Sequence, residues 1–300
     1  MAASPQILPW IPLNDGLLSK QQLALESTVS TLRKLEGRDK FTKLLQYGAR
    51  LLYWWYRSKN PALSSRAYKL YRTTRLSRKA FRLLKIFEEI LKLRDVLAKL
   101  DKRHQGAVSL KSALEGGRCL ALGCLYIFDN LLYLDATDTV KFSAARATRG
   151  FARAWTAASV LAILLGFHDL NQVGRRRREL AAEYYVVLEP RIARDIPHAG
   201  TLAGSCVGNG DEQCLEEKVW QRAKDLEDAI TGANVDRFKL LVMMLKATMD
   251  LTCALNMPGM DVPKRIWGQK LNDGVIGALG CVSAICSLYN VWPTRPQQSS

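Results

Sequence analysis

The sequence predicts an all-α fold: a helical membrane protein with long amphipathic N-terminal helices and at least one C-terminal membrane-spanning helix. Three observations lead there. Apolar residues recur at helical spacing through nearly every ordered stretch, and no convincing period-two run marks a strand. Basic charge is concentrated at one end: residues 1–103 hold 22 Lys and Arg against 8 Asp and Glu, whereas the rest of the chain is nearly balanced. Finally, the 21 residues from Gly274 to Thr294 contain no Asp, Glu, Lys, Arg or His. A helix of that length can cross the roughly 30 Å of bilayer hydrocarbon.

The elements follow in order. Residues 1–26 form a tail with Pro5, Pro9 and Pro12, and a first helix is expected over about 20–35. A basic amphipathic module spans 27–105. Its first clear helix starts near Arg38, places Phe41, Leu44, Leu45, Gly48, Leu51, Leu52 and Trp55 at helical spacing, and stops at Asn60-Pro61. Tyr53-Trp54-Trp55-Tyr56 followed by Arg57 resembles an interfacial aromatic belt, although the same rings could fill a core.

The next helix is predicted over about 64–100 and holds the most informative stretch, 75–87. At 100° per residue, Arg75, Arg78, Lys79, Arg82 and Lys85 share one side of the wheel. Leu76, Ala80, Leu83, Leu84, Phe87 and Leu91 share the other, with Phe81 at the margin and Ile86 the one misfit. A cationic face backed by Leu and Phe suits an anionic membrane surface. The five basic residues are the expected headgroup contacts. Leu76, Phe81, Leu83, Leu84 and Phe87 are the expected inserting residues.

Central helices occupy 106–194. One is expected over about Leu110–Tyr133 and another over about Ala144–Phe167, within which Ala154–Phe167 carries no charge. Fourteen residues are short for a span and suit a re-entrant or a buried helix equally well. Arg175-Arg176-Arg177-Arg178 follows, and a loop is predicted over 195–214. The C-terminal segment, 215–292, begins with helices over about Leu215–Thr231 and Val235–Leu255. Pro258, Gly259 and Pro263 interrupt it before the span at 274–294, and 295–300 form a tail. Gly277, Gly280, Ala284 and Ser287 set small residues at three- and four-residue spacings on that span, a face for close helix–helix approach in lipid. Tyr289 and Trp292 sit near its end as interface anchors.

Several classes lose support. The chain has no Walker loop, HExxH, GxSxG or dinucleotide fingerprint, and its three histidines lie far apart, so no cofactor, metal or catalytic residue is nominated. Seven scattered cysteines without a CxxC pair fit a reducing compartment. The residues from Met1 to Leu18 lack the pattern of a secretory signal, and Gln-Gln-Ser-Ser is not a peroxisomal matrix address. The basic module needs a polyanion. Its continuous apolar backing favours anionic lipid over nucleic acid. A second functional reading is a channel for small metabolites, with Arg118, Asp129, Lys246 and Asp250 lining a polar path.

Four stretches, in order, resemble the peroxisomal membrane protein 11 (peroxin-11) family, which acts in peroxisome proliferation and division. They are Arg38-Asp-Lys-Phe-Thr-Lys-Leu-Leu-Gln-Tyr-Gly-Ala-Arg50, Leu76-Ser-Arg-Lys-Ala-Phe-Arg-Leu-Leu-Lys85, Phe128-Asp-Asn-Leu131, and Leu245–Leu251 with Gly274–Ser283. Together they cover about 27–292. The resemblance implies a non-enzymatic peroxisomal membrane protein with cytosolic termini that inserts its amphipathic helix into the cytosolic leaflet. It also implies bending and elongation of the membrane, self-association, and recruitment of dynamin-type fission machinery. The tetra-Arg run and the 195–214 loop fall outside the family's pattern.

Overall fold

A computed structural model describes residues 28–101 (except 30 and 33), 109–195 and 209–292. Eight helices account for nearly all of them, and no strand occurs among the described residues. They are α1 (Leu35–Tyr56), α2 (Pro61–Phe81), α3 (Ile86–Asp101), α4 (Leu110–Ala136), α5 (Ala144–Asp195), α6 (Asn209–Leu255), α7 (Val262–Trp267) and α8 (Asp273–Val291). The helix expected over 20–35 lies mostly outside the described residues. So do 196–208 of the predicted loop, both tails, and 293–294 of the predicted span.

The chain divides into two compact units. The first unites the segment up to Arg82 with Asn272 and beyond. In it α1 packs between α2 and α8. The α1–α2 turn is built locally: Asn60 caps α2 by accepting the Leu63 N–H at 3.0 Å, and Pro61 sits at the first helical position, where its missing N–H costs nothing. Asn272 caps α8 in the same way, accepting from the Val275 N–H at 2.9 Å.

The second unit runs from Leu83 to Leu271: α3 packs on α4, α4 on α5, and α5 on α6. Helices α5 and α6 form an antiparallel hairpin, in which Met244 lies against Gly166 and Arg222 pairs with Glu183. At 1.5 Å per residue their 52 and 47 residues reach roughly 78 and 70 Å. Small residues, among them Ala147, Ala152, Ala158, Ala247 and Ala254, fill the buried positions, while Leu164, Phe167, Phe238 and Leu241 face outward. After α6, the Asn256 side chain exchanges two hydrogen bonds with the Leu271 backbone and closes the intervening segment. Inside it the Lys270 ammonium and the Gly259 N–H hold the Asp261 carboxyl below the usual carboxylate range.

Four expectations need correction. The helix over 64–100 is two helices: α2 ends at Phe81, the chain turns through Arg82–Lys85, and α3 starts at Ile86. Leu84 occupies the left-handed region at φ 61°, a conformation that an L residue takes only under tertiary constraint. The helix expected to end near Phe167 continues without a break to Asp195, carrying the tetra-Arg run within it. The separate helices at 215–231 and 235–255 are one, and 209–214 belong to it rather than to a loop. Finally, the central apolar run is not too short to span: α4 and the Ala144–Leu188 part of α5 are long and apolar enough to cross a membrane, as is the expected C-terminal span α8.

Candidate membrane-binding surface

The polar residues of α1 define the first unit from within. Asp39, Lys43, Gln46 and Arg50 recur at helical spacing on the side of α1 that meets its two neighbours. Arg78 of α2 donates from Nε to Asp39 at 3.1 Å and from Nη1 to Gln46 at 2.7 Å, and Arg82 Nε lies 3.5 Å from the same Asp39 carboxylate. On the other flank, Lys43 donates to the Ser283 hydroxyl of α8 at 2.6 Å. Arg50 joins all three helices. Its guanidinium pairs with Asp273 of α8 at 2.7 Å and sits 5.6 Å from the centroid of the Tyr71 ring of α2. A buried charge needs such partners, because its desolvation is otherwise uncompensated.

The small-residue face of α8 explains how the helices come this close. Gly277, Gly280, Ala284 and Ser287 are all buried on it. A Cβ on Gly277 would lie 2.8 Å from the backbone nitrogen of Leu51, and one on Gly280 would strike the Tyr47 ring. One on Gly274 would enter the Trp54 indole. The pairs Trp54–Gly274, Leu51–Gly277, Tyr47–Gly280 and Lys43–Ser283 step in opposite directions, so α1 and α8 run antiparallel in close register.

The ten residues from the 75–87 wheel do not share one surface. Arg75 is exposed, but Arg78 and Lys79 are only 8% accessible and lie inside the first unit. Arg82 is half-buried beside Asp39 and donates to the Arg78 carbonyl at 3.1 Å. Lys85 belongs to the second unit, half-buried with its ammonium 6.0 Å from the Tyr126 ring centroid. Of the apolar set, Leu76 is exposed on α2 and Phe81 is half-buried at its end. Leu83, Leu84 and Phe87 lie in the second unit and all face outward, Leu84 at 66% and Phe87 at 58% accessibility. Leu91, already on the apolar side of the wheel, is exposed with them on α3, and sequence reasoning missed that Ile90 and Leu97 are exposed there too. Glu88, Lys92, Asp95 and Lys99 line one side of that arc, Arg94 is exposed within it and pairs with Asp95, and Glu89 and Val96 are buried behind it. This is the geometry of an interfacial amphipathic helix.

The residues of the channel reading have local partners or positions of their own. Lys246 pairs with Asp250 one turn along α6 at 2.9 Å, Asp129 is buried on α4, and Arg118 is half-buried. Among the described residues, no cluster of His, Cys, Asp or Glu is suited to holding a metal ion.

A family model described as peroxisomal biogenesis factor 11 (PEX11) matches residues 25–292. The chain belongs to this family. It is 25% identical to peroxisomal membrane protein 11-1 of Oryza sativa subsp. japonica over 281 residues, covering 93% of this chain and 95% of the relative. It is 23% identical to the peroxisomal membrane protein 11 homolog of Dictyostelium discoideum, covering 93% of this chain and 99% of that protein. No solved structure matches. The family is one of peroxisomal membrane biogenesis factors, with a role in peroxisome proliferation.

Proposed function

We propose that this PEX11-family chain resides in the peroxisomal membrane and promotes peroxisome proliferation by driving the apolar edge of α3 into the cytosolic leaflet. The observation that carries this reading is the outward arc of Leu84 in the turn and Phe87, Ile90, Leu91 and Leu97 on α3, interrupted by Arg94 and bordered on one side by charged residues. In water that arc is an unfavourable patch of Leu, Ile and Phe; at the acyl–headgroup boundary each side chain loses its contact with water. Material wedged into one leaflet expands it relative to the other and favours curvature. Candidate spans α4, α5 and α8 supply the anchoring that a single amphipathic helix lacks. Arg75, Lys92 and Lys99 contact anionic headgroups in this reading. Self-association concentrates the curvature, and dynamin-type machinery acts on the elongated membrane.

The test is tubulation of vesicles of phosphatidylcholine and phosphatidylserine by the full-length chain. Phe87→Glu places a carboxylate where the wedge enters hydrocarbon and abolishes tubulation while leaving the protein membrane-bound. Undiminished tubulation by that variant removes the wedge.

A further inference from the structure

We propose that α1 lies in the hydrocarbon core beside α8, as an additional membrane-embedded helix, with Phe41, Leu45, Leu52 and Trp55 packed against lipid acyl chains. Four observations converge on it.

The first is inverted polarity. From Phe41 to Tyr56 the charged residues are Lys43 and Arg50, and both turn inward, to Ser283 and to Asp273 with Tyr71. The outward stripe is Phe41, Leu45, Leu52 and Trp55. A water-facing helix does the reverse, because burying charge and exposing large apolar side chains are both unfavourable in water. In a bilayer the same arrangement is the stable one.

The second is register with a candidate span. α8 lies antiparallel to α1 over Lys43–Trp54, and its own outward residues include Val275, Val282, Ile285 and Tyr289. A helix held in register along a spanning helix shares its depth. The third is length and ends. Sixteen residues without an outward charge cover about 24 Å, close to the roughly 30 Å hydrocarbon thickness. Trp54, Trp55 and Tyr56 close one end of the pair, and Tyr289 and Trp292 of α8 lie at the other, as aromatic belts do at the two interfaces. The fourth is a groove. An open apolar groove of about 500 Å³ runs between the two helices, floored by Gly274 and Ala278 and walled by Leu51, Leu52, Trp55 and Val275. An acyl chain has the shape and chemistry to fill it.

Helix α2 differs in carrying outward charge, because Arg66, Lys69, Arg72 and Arg75 are exposed on it beside Leu63, Tyr68, Leu70 and Leu76. Hydropathy alone overlooks α1, since Asp39, Lys43, Gln46 and Arg50 lower its average although none of them faces lipid.

The proposal is independent of the α3 wedge, and its test reads contact rather than curvature. The full-length chain carrying the photo-crosslinker at one position (Phe41→p-benzoylphenylalanine, Leu52→p-benzoylphenylalanine or Lys69→p-benzoylphenylalanine) is reconstituted in phosphatidylcholine–phosphatidylserine vesicles, irradiated and weighed by mass spectrometry. Lipid adducts form at positions 41 and 52 and are lost at 69. The Phe41 variant keeps a phenyl ring in place, so it decides the matter even if the Leu52 variant fails to insert. Chain without lipid adduct at position 41 overturns the proposal. So do adducts at 41 to a second copy of the chain, which make the stripe a contact between copies.

Discussion

The end of α2 and the start of α3 are adjacent in sequence and opposite in use. In the last turns of α2, Arg78 and Lys79 point into the protein, and Arg78 is spent on Asp39 and Gln46. In the first turns of α3, Phe87, Ile90 and Leu91 point out, each more than half exposed. A single helical wheel assigns both stretches to one lipid-binding helix, basic on one side and apolar on the other. The structure instead divides that wheel into an internal lock and an external edge, separated by the turn at Arg82–Lys85. A basic residue on an amphipathic helix is therefore not by itself a headgroup ligand. What decides is whether a carboxylate waits within reach on a neighbouring helix.

Substitutions can separate the lock from the edge. The largest effect is expected at the lock. Asp39→Ala strands the buried Arg78 guanidinium and costs about 3–5 kcal/mol. Thermal unfolding of the purified protein in detergent reads this as a marked fall in midpoint. Replacing Asp39 and Arg78 together with apolar residues recovers most of the loss, as removal of a whole buried pair often does. Gly277→Leu comes next: its side chain must push α8 away from the Leu51 backbone, a cost of about 1–3 kcal/mol measured in the same way. The smallest is Ser283→Ala, which deletes the hydroxyl that accepts from Lys43 and costs about 0.6 kcal/mol, the average for a hydrogen bond between helices in a membrane. None of the three is a residue of α3, so none should alter tubulation at temperatures where the protein stays folded. A tubulation defect in Ser283→Ala would merge the two regions that the structure separates.

Much of the fold was legible in the sequence because its signals are local. Helical periodicity, the Asn60-Pro61 stop and the uncharged run at 274–294 each rest on residues within a few turns of one another, and each has its counterpart in a helix or cap. The small-residue spacing of α8 was legible too, because only Gly, Ala and Ser permit such an approach. Its partner was not, since Tyr47 and Leu51 lie more than 220 residues away. The split of the third helix follows the same logic. Propensity alone favours continuity, and the contacts that hold the end of α2, Arg78 and Arg82 on Asp39, join residues about 40 positions apart. One local trace existed: Ile86, the single residue off the apolar face of the wheel, is where α3 begins with a new phase. The lengths of α5 and α6 escaped because charged residues such as Arg175–Arg178 end an apolar run without ending a helix. The polar stripe of α1, Asp39–Lys43–Gln46–Arg50, was visible as spacing, but only the neighbouring helices reveal that it faces inward.

The central claim is that the edge of α3, rather than the basic face of α2, shapes the membrane. Peroxisome length and number in cells expressing the full-length chain test it most directly, with Phe87→Glu compared against Arg75→Gln. The account predicts that Phe87→Glu reaches the peroxisomal membrane but leaves peroxisomes short and unmultiplied, while Arg75→Gln still elongates them. Elongation by Phe87→Glu equal to that of the unaltered chain would contradict it.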